Sequence, residues 1–150
     1  IELHRYLKKA FAEDFRGGIQ RDAFSRNLGK EILLSKSEYH KRNYLKILKN
    51  SSIGIVNRGL ENSISWKFGE YISHSLAVVT TPIDEYQLLG PLKEEEHYQT
   101  FRSSEECFEK TDLLYNNDQL RMEMQRANRA YYEQWLHPGE KLLRIFECIN

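Results

Sequence analysis

The stretch from Ser52 to Pro82 constrains the chain more than any other. It reads as strand, loop, short helix, strand, the βαβ grammar of a parallel sheet. Residues 53–56 (Ile-Gly-Ile-Val) form a short apolar run with β-branched members, the kind of strand that is buried on both faces. Arg58-Gly59 ends that run, and Asn62, Ser63 and Ser65 crowd the place where a helix should begin, as capping residues do. Residues 76–80 (Leu-Ala-Val-Val-Thr) give a second buried strand, closed by Pro82. Ligands of open parallel sheets sit beyond the carboxyl ends of the strands, against helix N-termini. The loop 57–65 is therefore the first place to look for chemistry.

The helix within this stretch has two dissimilar faces. At 100° per residue Ile64, Phe68, Tyr71 and Ile72 share the side that would pack on the sheet. Ser63, Trp66, Lys67, Glu70, Ser73 and His74 share the other. An aromatic ring, an ammonium and a carboxylate beside a helix N-terminus suit a nucleoside diphosphate. The ring stacks, the lysine and backbone N–H groups hold phosphate, and the carboxylate accepts ribose hydroxyls. The competing reading is a solvated outer face with a snorkelling lysine and a half-buried tryptophan.

The stretch "SSIGIVNRGLENSISWKFGEYISHSLAVVTTP", followed by "HYQTF" and "SSEECFEKTDLLYNNDQLRMEMQRANRAYY", resembles the C-terminal half of a bacterial group 1 glycosyltransferase. Those enzymes have the GT-B fold of two facing Rossmann-like domains, and the C-terminal one binds the nucleotide-sugar donor. "GEYISHSLAVVTTP" matches the segment that carries the family's second glutamate, at Glu70. The family's first glutamate would fall on position 62, where this chain has Asn62 beside Glu61, and "SHS" stands where the family has a glycine turn. The resemblance implies Glu70 at ribose, with Lys67 and the backbone around Ser63 to Ser65 at phosphate. It gives the donor sugar to Asn62 or Glu61 and the base or sugar wall to Trp66, with Arg58 on the same donor-binding loop. It names no catalytic residue in this chain, and it implies neither a metal nor any other cofactor. The implied partners are a nucleotide-sugar donor, a glycan or lipid-linked acceptor, and an N-terminal GT-B domain.

The rest of the chain fits one α/β domain, residues 1–150: a Rossmann-like parallel sheet flanked by helices, with a helical C-terminal end. Lys plus Arg and Asp plus Glu number 22 each, so no net field draws the chain to nucleic acid. No run is long and apolar enough to span a bilayer, and a cytoplasmic setting fits. Cys107 and Cys148, each in an expected helix, read as small buried hydrophobes, and the five histidines show no metal-ligand spacing. The opening "IELHRYLKKAFAEDF" is an amphipathic helix with no strand ahead of it, so a piece of a longer two-domain protein is expected.

Gly17-Gly18 is a turn rather than a phosphate loop, residues 22–29 are irregular or a short helix, and residues 31–35 are a strand. Residues 38–50 form one basic amphipathic helix. Lys41, Arg42, Lys46 and Lys49 face outward, either to water or to the inner face of a membrane that carries lipid-linked acceptors. "IDEYQLLGPLKEEE" is an acidic loop of solvated carboxylates, and residues 97–101 are the next strand. Helices follow over 105–115, from a cap at Asp118 through Leu120, Met124, Ala127 and Tyr131, and over 140–149.

Two other classes compete with the glycosyltransferase. One is a non-catalytic α/β binding or interaction domain that has kept the fold. The other is a different parallel α/β enzyme, of the phosphosugar isomerase or response-regulator kind, for which no catalytic set is present.

Overall fold

A computed structural model of the chain describes residues 1–149, the side chains of Arg26, Cys148 and Ile149 apart. The expectation for Cys148 thus lies outside the described residues. The fold is α/β, with small parallel sheets flanked by helices and a helical C-terminal end. Where the sequence suggests one domain, the chain's contacts gather into two compact units, Ile1–Ser51 and the remainder from Ser52 onward.

The first unit opens with helix α1 (Glu2–Phe11), which buries Leu7 and Phe11 one turn apart. Strands β1 (Ile19–Gln20) and β2 (Leu33–Leu34) pair in parallel. The strand expected over 31–35 is shorter than its pattern, because Lys30–Ile32 winds into a 3-10 turn first. Between the strands the Asp22 carboxylate accepts the backbone N–H groups of Phe24 and Ser25, an Asx turn. The single helix expected over 38–50 is two helices, α2 (Lys36–Tyr39) and α3 (Lys41–Lys49). Glu38 Oε2 accepts Ser35 N–H at 2.7 Å and starts the first turn early. Extended backbone at His40 then breaks the ladder, and His40 O accepts the first amides of α3.

The second unit carries the βαβ element. Strand β3 (Ile53–Val56), helix α4 (Trp66–Ser73) and strand β4 (Ala77–Thr80) follow in order, then β5 (Tyr98–Thr100) after a long connection. The three strands are all parallel in the order β3-β4-β5, with Gly54 opposite Val78 and Val78 opposite Tyr98. Every residue of β4 and β5 is buried, as the apolar run 76–80 predicts for β4. Strand β3, expected to be buried on both faces, is instead an edge strand that buries Gly54 and Val56 and leaves Ile53 and Ile55 half-buried. Phe68, Tyr71 and Ile72 point inward from α4, each worth roughly 1.5–3 kcal/mol of apolar burial. Tyr71 lies so close to β3 that a Cβ on Gly54 would come within 2.5 Å of its ring. Phe68 meets Tyr98 edge-on, ring centroids 6.1 Å apart.

Helices α5 (Ser104–Asn116), α6 (Asp118–Tyr131) and α7 (Pro138–Ile149) complete the unit, with a π turn over Tyr132–Leu136. Ser103 caps α5 by accepting Glu106 N–H. The cap of α6 is Asn117 rather than Asp118: Asn117 Oδ1 accepts Leu120 N–H at 3.0 Å. Asp118 pairs instead with Arg121, whose guanidinium also holds the last carbonyls of α5 at Leu114 and Tyr115. Met124, Asn128 and Tyr131 form the buried stripe of α6. Asn128 is a polar member of it, donating to Leu76 O at 2.7 Å and His97 O at 2.9 Å and so tying together the approaches to β4 and β5.

Candidate functional site

The carboxyl ends of β3 and β4 leave the sheet side by side, Val56 in register with Thr80. The loop after β3 closes on itself. Gly59 N–H donates to Ser63 O at 2.7 Å, and both the amide and hydroxyl of Ser63 donate to Leu60 O. A Cβ at Gly59 would meet Ser63 Oγ at 2.6 Å, so the turn needs a glycine. Glu61 (φ 53°) and Asn62 (φ 59°) are left-handed inside this turn, and Leu60 at its tip is 91% exposed. Asn62 and Ser63 therefore belong to the turn and not to the helix start. Ser65 occupies the N-cap, with no side-chain hydrogen bond across the cap. Ile64, expected on the packed side of the helix, lies before its first residue and is half-buried.

Trp66, Lys67 and Glu70 do share the outer side of α4. Lys67 and Glu70 are three residues apart and Trp66 and Glu70 four, the spacings that bring helix side chains together. Trp66 is 68% exposed, Lys67 is exposed and Glu70 is half-buried. The far end of the same face is structural: Ser73 Oγ and the His74 ring and amide gather on Glu70 O, closing the helix C-terminus.

Arg58 lies beside these residues in sequence but is held by the neighbouring loop. Its Nη2 donates to Pro82 O at 3.2 Å and its Nη1 pairs with Glu85 at 2.6 Å. This link between the loops after β3 and β4 is absent from the sequence reading, which leaves Glu85 among solvated carboxylates. A cation and an anion 27 positions apart show no pattern in a chain; only the parallel register brings their loops together.

The connection from β4 to β5 shapes a half-open cavity of about 270 Å³, lined by Ile83, Asp84, Tyr86, Leu88, Pro91 and Tyr98 among others. That is just under the roughly 300–1,000 Å³ usual for ligand pockets. Burial, with Glu94 and Asp84 adding to it, raises the Tyr98 phenol above its ordinary value and keeps its hydroxyl a donor. The far half of the connection is pinned. Tyr131 donates to Leu89 O, Gly90 (φ +71°) lies against the Trp135 ring, and Lys93 N–H donates to His97 Nδ1 at 3.2 Å. His97 is buried against Tyr131, ring centroids 5.5 Å apart, and burial lowers its pKa below the usual histidine value. Its Nδ1 accepts a hydrogen bond, so the ring is neutral with its proton on Nε2.

The Cys107 thiol is buried and pushed up to about 11 by desolvation, an inert core group. Among the described residues no three His, Cys, Asp or Glu side chains gather as a metal site, and no helix is long and apolar enough to cross a membrane. Compared with protein-family models, with curated proteins and with solved structures, the chain matches none of them.

Proposed function

We propose that this chain is the donor-binding half of a GT-B glycosyltransferase, which moves a sugar from a nucleotide-sugar to an acceptor hydroxyl in bacterial glycan synthesis. One observation carries the reading: a parallel β3–α4–β4 unit puts Trp66, Lys67 and Glu70 on the outer side of the helix that follows β3, with Arg58 on the intervening loop and turned to Pro82 and Glu85. Helix N–H groups and cations suit a leaving diphosphate, and where they neutralise it no metal ion is needed. Glu70 takes the ribose hydroxyls, Lys67 and the backbone at Ile64 and Ser65 take phosphate, the Ser63 N–H being held by Leu60 O, and Trp66 stacks on base or sugar. Asn62 and Glu61, in their left-handed turn, are the groups left for the donor sugar. The reaction belongs on the cytoplasmic side, where nucleotide-sugars and the inner-leaflet ends of lipid-linked acceptors meet. On this reading the acceptor is held by an N-terminal GT-B domain as partner.

A second reading, a non-catalytic α/β binding domain, is favoured by Asn62 itself, since an amide replaces the carboxylate that the resemblance puts at the donor sugar. Calorimetric titration of the chain with UDP, GDP and the corresponding nucleosides separates the two. Donor binding requires that a diphosphate bind more tightly than its nucleoside. No heat with either diphosphate at millimolar concentration would leave only the second reading.

A further inference from the structure

We infer that Glu85 is a latch on Arg58, which the diphosphate of a bound nucleotide must displace. The inference rests on the donor-site reading of Arg58 and adds a regulatory loop to it. Arg58 stands two residues beyond β3 and Pro82 two residues beyond β4, and these strands are parallel neighbours. The guanidinium makes two contacts with the second loop, and they differ in kind. The bond to Pro82 O at 3.2 Å is to backbone that has just left the sheet, so it fixes the guanidinium at the carboxyl edge. The 2.6 Å contact to Glu85 is to a half-exposed side chain, with the Arg58 side chain itself about one-third accessible. A guanidinium takes carboxylate and phosphate oxygens with the same fork of donors, so one anion can replace the other there without moving Arg58.

The loop is built to let Glu85 go. Its far half, residues 89–93, is pinned by Tyr131, Trp135 and His97. Its near half, residues 84–88, has as its backbone bond the turn from Tyr86 N–H to Ile83 O. On release Glu85 would move with the short segment between Ile83 and Leu89, taking with it the Tyr86 phenol that lies against its carboxylate. Asp84, Tyr86 and Leu88 on that segment line the cavity, so displacement of Glu85 also opens the cavity wall. Diphosphate binding and loop opening are then one equilibrium, coupled through Arg58.

A half-exposed ion pair of this kind holds weakly, so its removal should tighten ligand binding by about three- to fivefold. The test is calorimetric titration of UDP, GDP and inorganic pyrophosphate into the wild type, Glu85→Gln, Asp84→Asn, Arg58→Ala and the Arg58→Ala/Glu85→Gln double variant. Glu85→Gln should bind each probe about three- to fivefold more tightly. Asp84→Asn removes the same charge one residue away and should gain less than about half of that. In the Arg58→Ala background, Glu85→Gln should change nothing. Hydrogen exchange of residues 84–88 should quicken on adding UDP to the wild type, and should already be fast in Glu85→Gln without it. Equal gains from Glu85→Gln and Asp84→Asn, or a gain that survives Arg58→Ala, would overturn the latch. Wild-type binding with no gain in Glu85→Gln would overturn the latch alone and leave the donor site standing. Failure of every variant to bind any probe would overturn both.

Discussion

Ser75 sits at φ 57° in the turn between α4 and β4, a conformation that disfavours any residue with a Cβ. The hydrogen bonds around it, Ser75 N–H to Ile72 O and Leu76 N–H to Tyr71 O, form a Schellman motif whose left-handed position glycine usually fills. Ser75→Gly should therefore raise the unfolding free energy by about 0.5–1 kcal/mol in urea denaturation, the relief of strain exceeding the added freedom of the unfolded chain. His97 gives the residue scale its pH dependence. Burial holds its folded pKa below the ordinary value, so below about pH 6.5 the unfolded chain binds a proton that the folded chain resists. Stability should fall as the pH drops through that window, by at most about 1.4 kcal/mol per pH unit, until His97 is itself protonated. The facing groups are Glu96 at 4.0 Å, which opposes the shift, the Lys93 amide and the Tyr131 ring. His97→Gln, which keeps an acceptor for Lys93 N–H, should lose less stability than wild type between about pH 7 and 5 when the two are unfolded in urea.

The central element is α4 seated on β3 and β4, with Tyr71 over Gly54, where a Cβ would come within 2.5 Å of the ring. Gly54→Ala drives a methyl into that ring and should destabilise the chain by about 2–3 kcal/mol. In a double-mutant cycle with Tyr71→Leu, the pair should cost at least about 1 kcal/mol less than the sum of the single changes. Strict additivity in urea unfolding would show that the two residues do not constrain the spacing of helix and strand. Much of this element is legible in the sequence. Ile53–Val56 and residues 76–80 are short β-branched runs with breakers at both ends, and Phe68, Tyr71 and Ile72 recur at helical spacing. The exact helix starts are not legible. Asn62, Ser63 and Ser65 all suit an N-cap, and only the closed turn that engages Ser63 leaves the role to Ser65. Asn117 and Asp118 present the same ambiguity, and the structure resolves it through the Asp118–Arg121 pair. Asn128 fell outside the expected core because polarity masked a position that the 124–128–131 spacing places on the buried stripe. Its two bonds go to backbone carbonyls, which leave no trace in the sequence.

For the whole molecule, the proposed function depends on the outer face of α4 being a binding face and not merely a solvated one. Glu70 is the residue on which the two accounts differ most. A carboxylate that accepts both ribose hydroxyls contributes on the order of 1.5–3 kcal/mol through charge-assisted hydrogen bonds. Glu70 is half-buried on the outer side of α4, opposite Phe68, Tyr71 and Ile72, so its side chain stays out of the core that those three build. Sugar transfer by the chain alone is not expected, because the proposed reaction takes place between donor and acceptor domains. Binding is therefore the quantity to measure: calorimetric titration of UDP and GDP into wild type, Glu70→Gln and Lys67→Ala, with urea unfolding of each. Glu70→Gln should weaken diphosphate binding by about tenfold or more while unfolding within about 0.5 kcal/mol of wild type. Lys67→Ala should weaken the diphosphate far more than the nucleoside. Wild-type affinity in Glu70→Gln, or loss of its fold, would make Glu70 a structural residue and contradict the donor site.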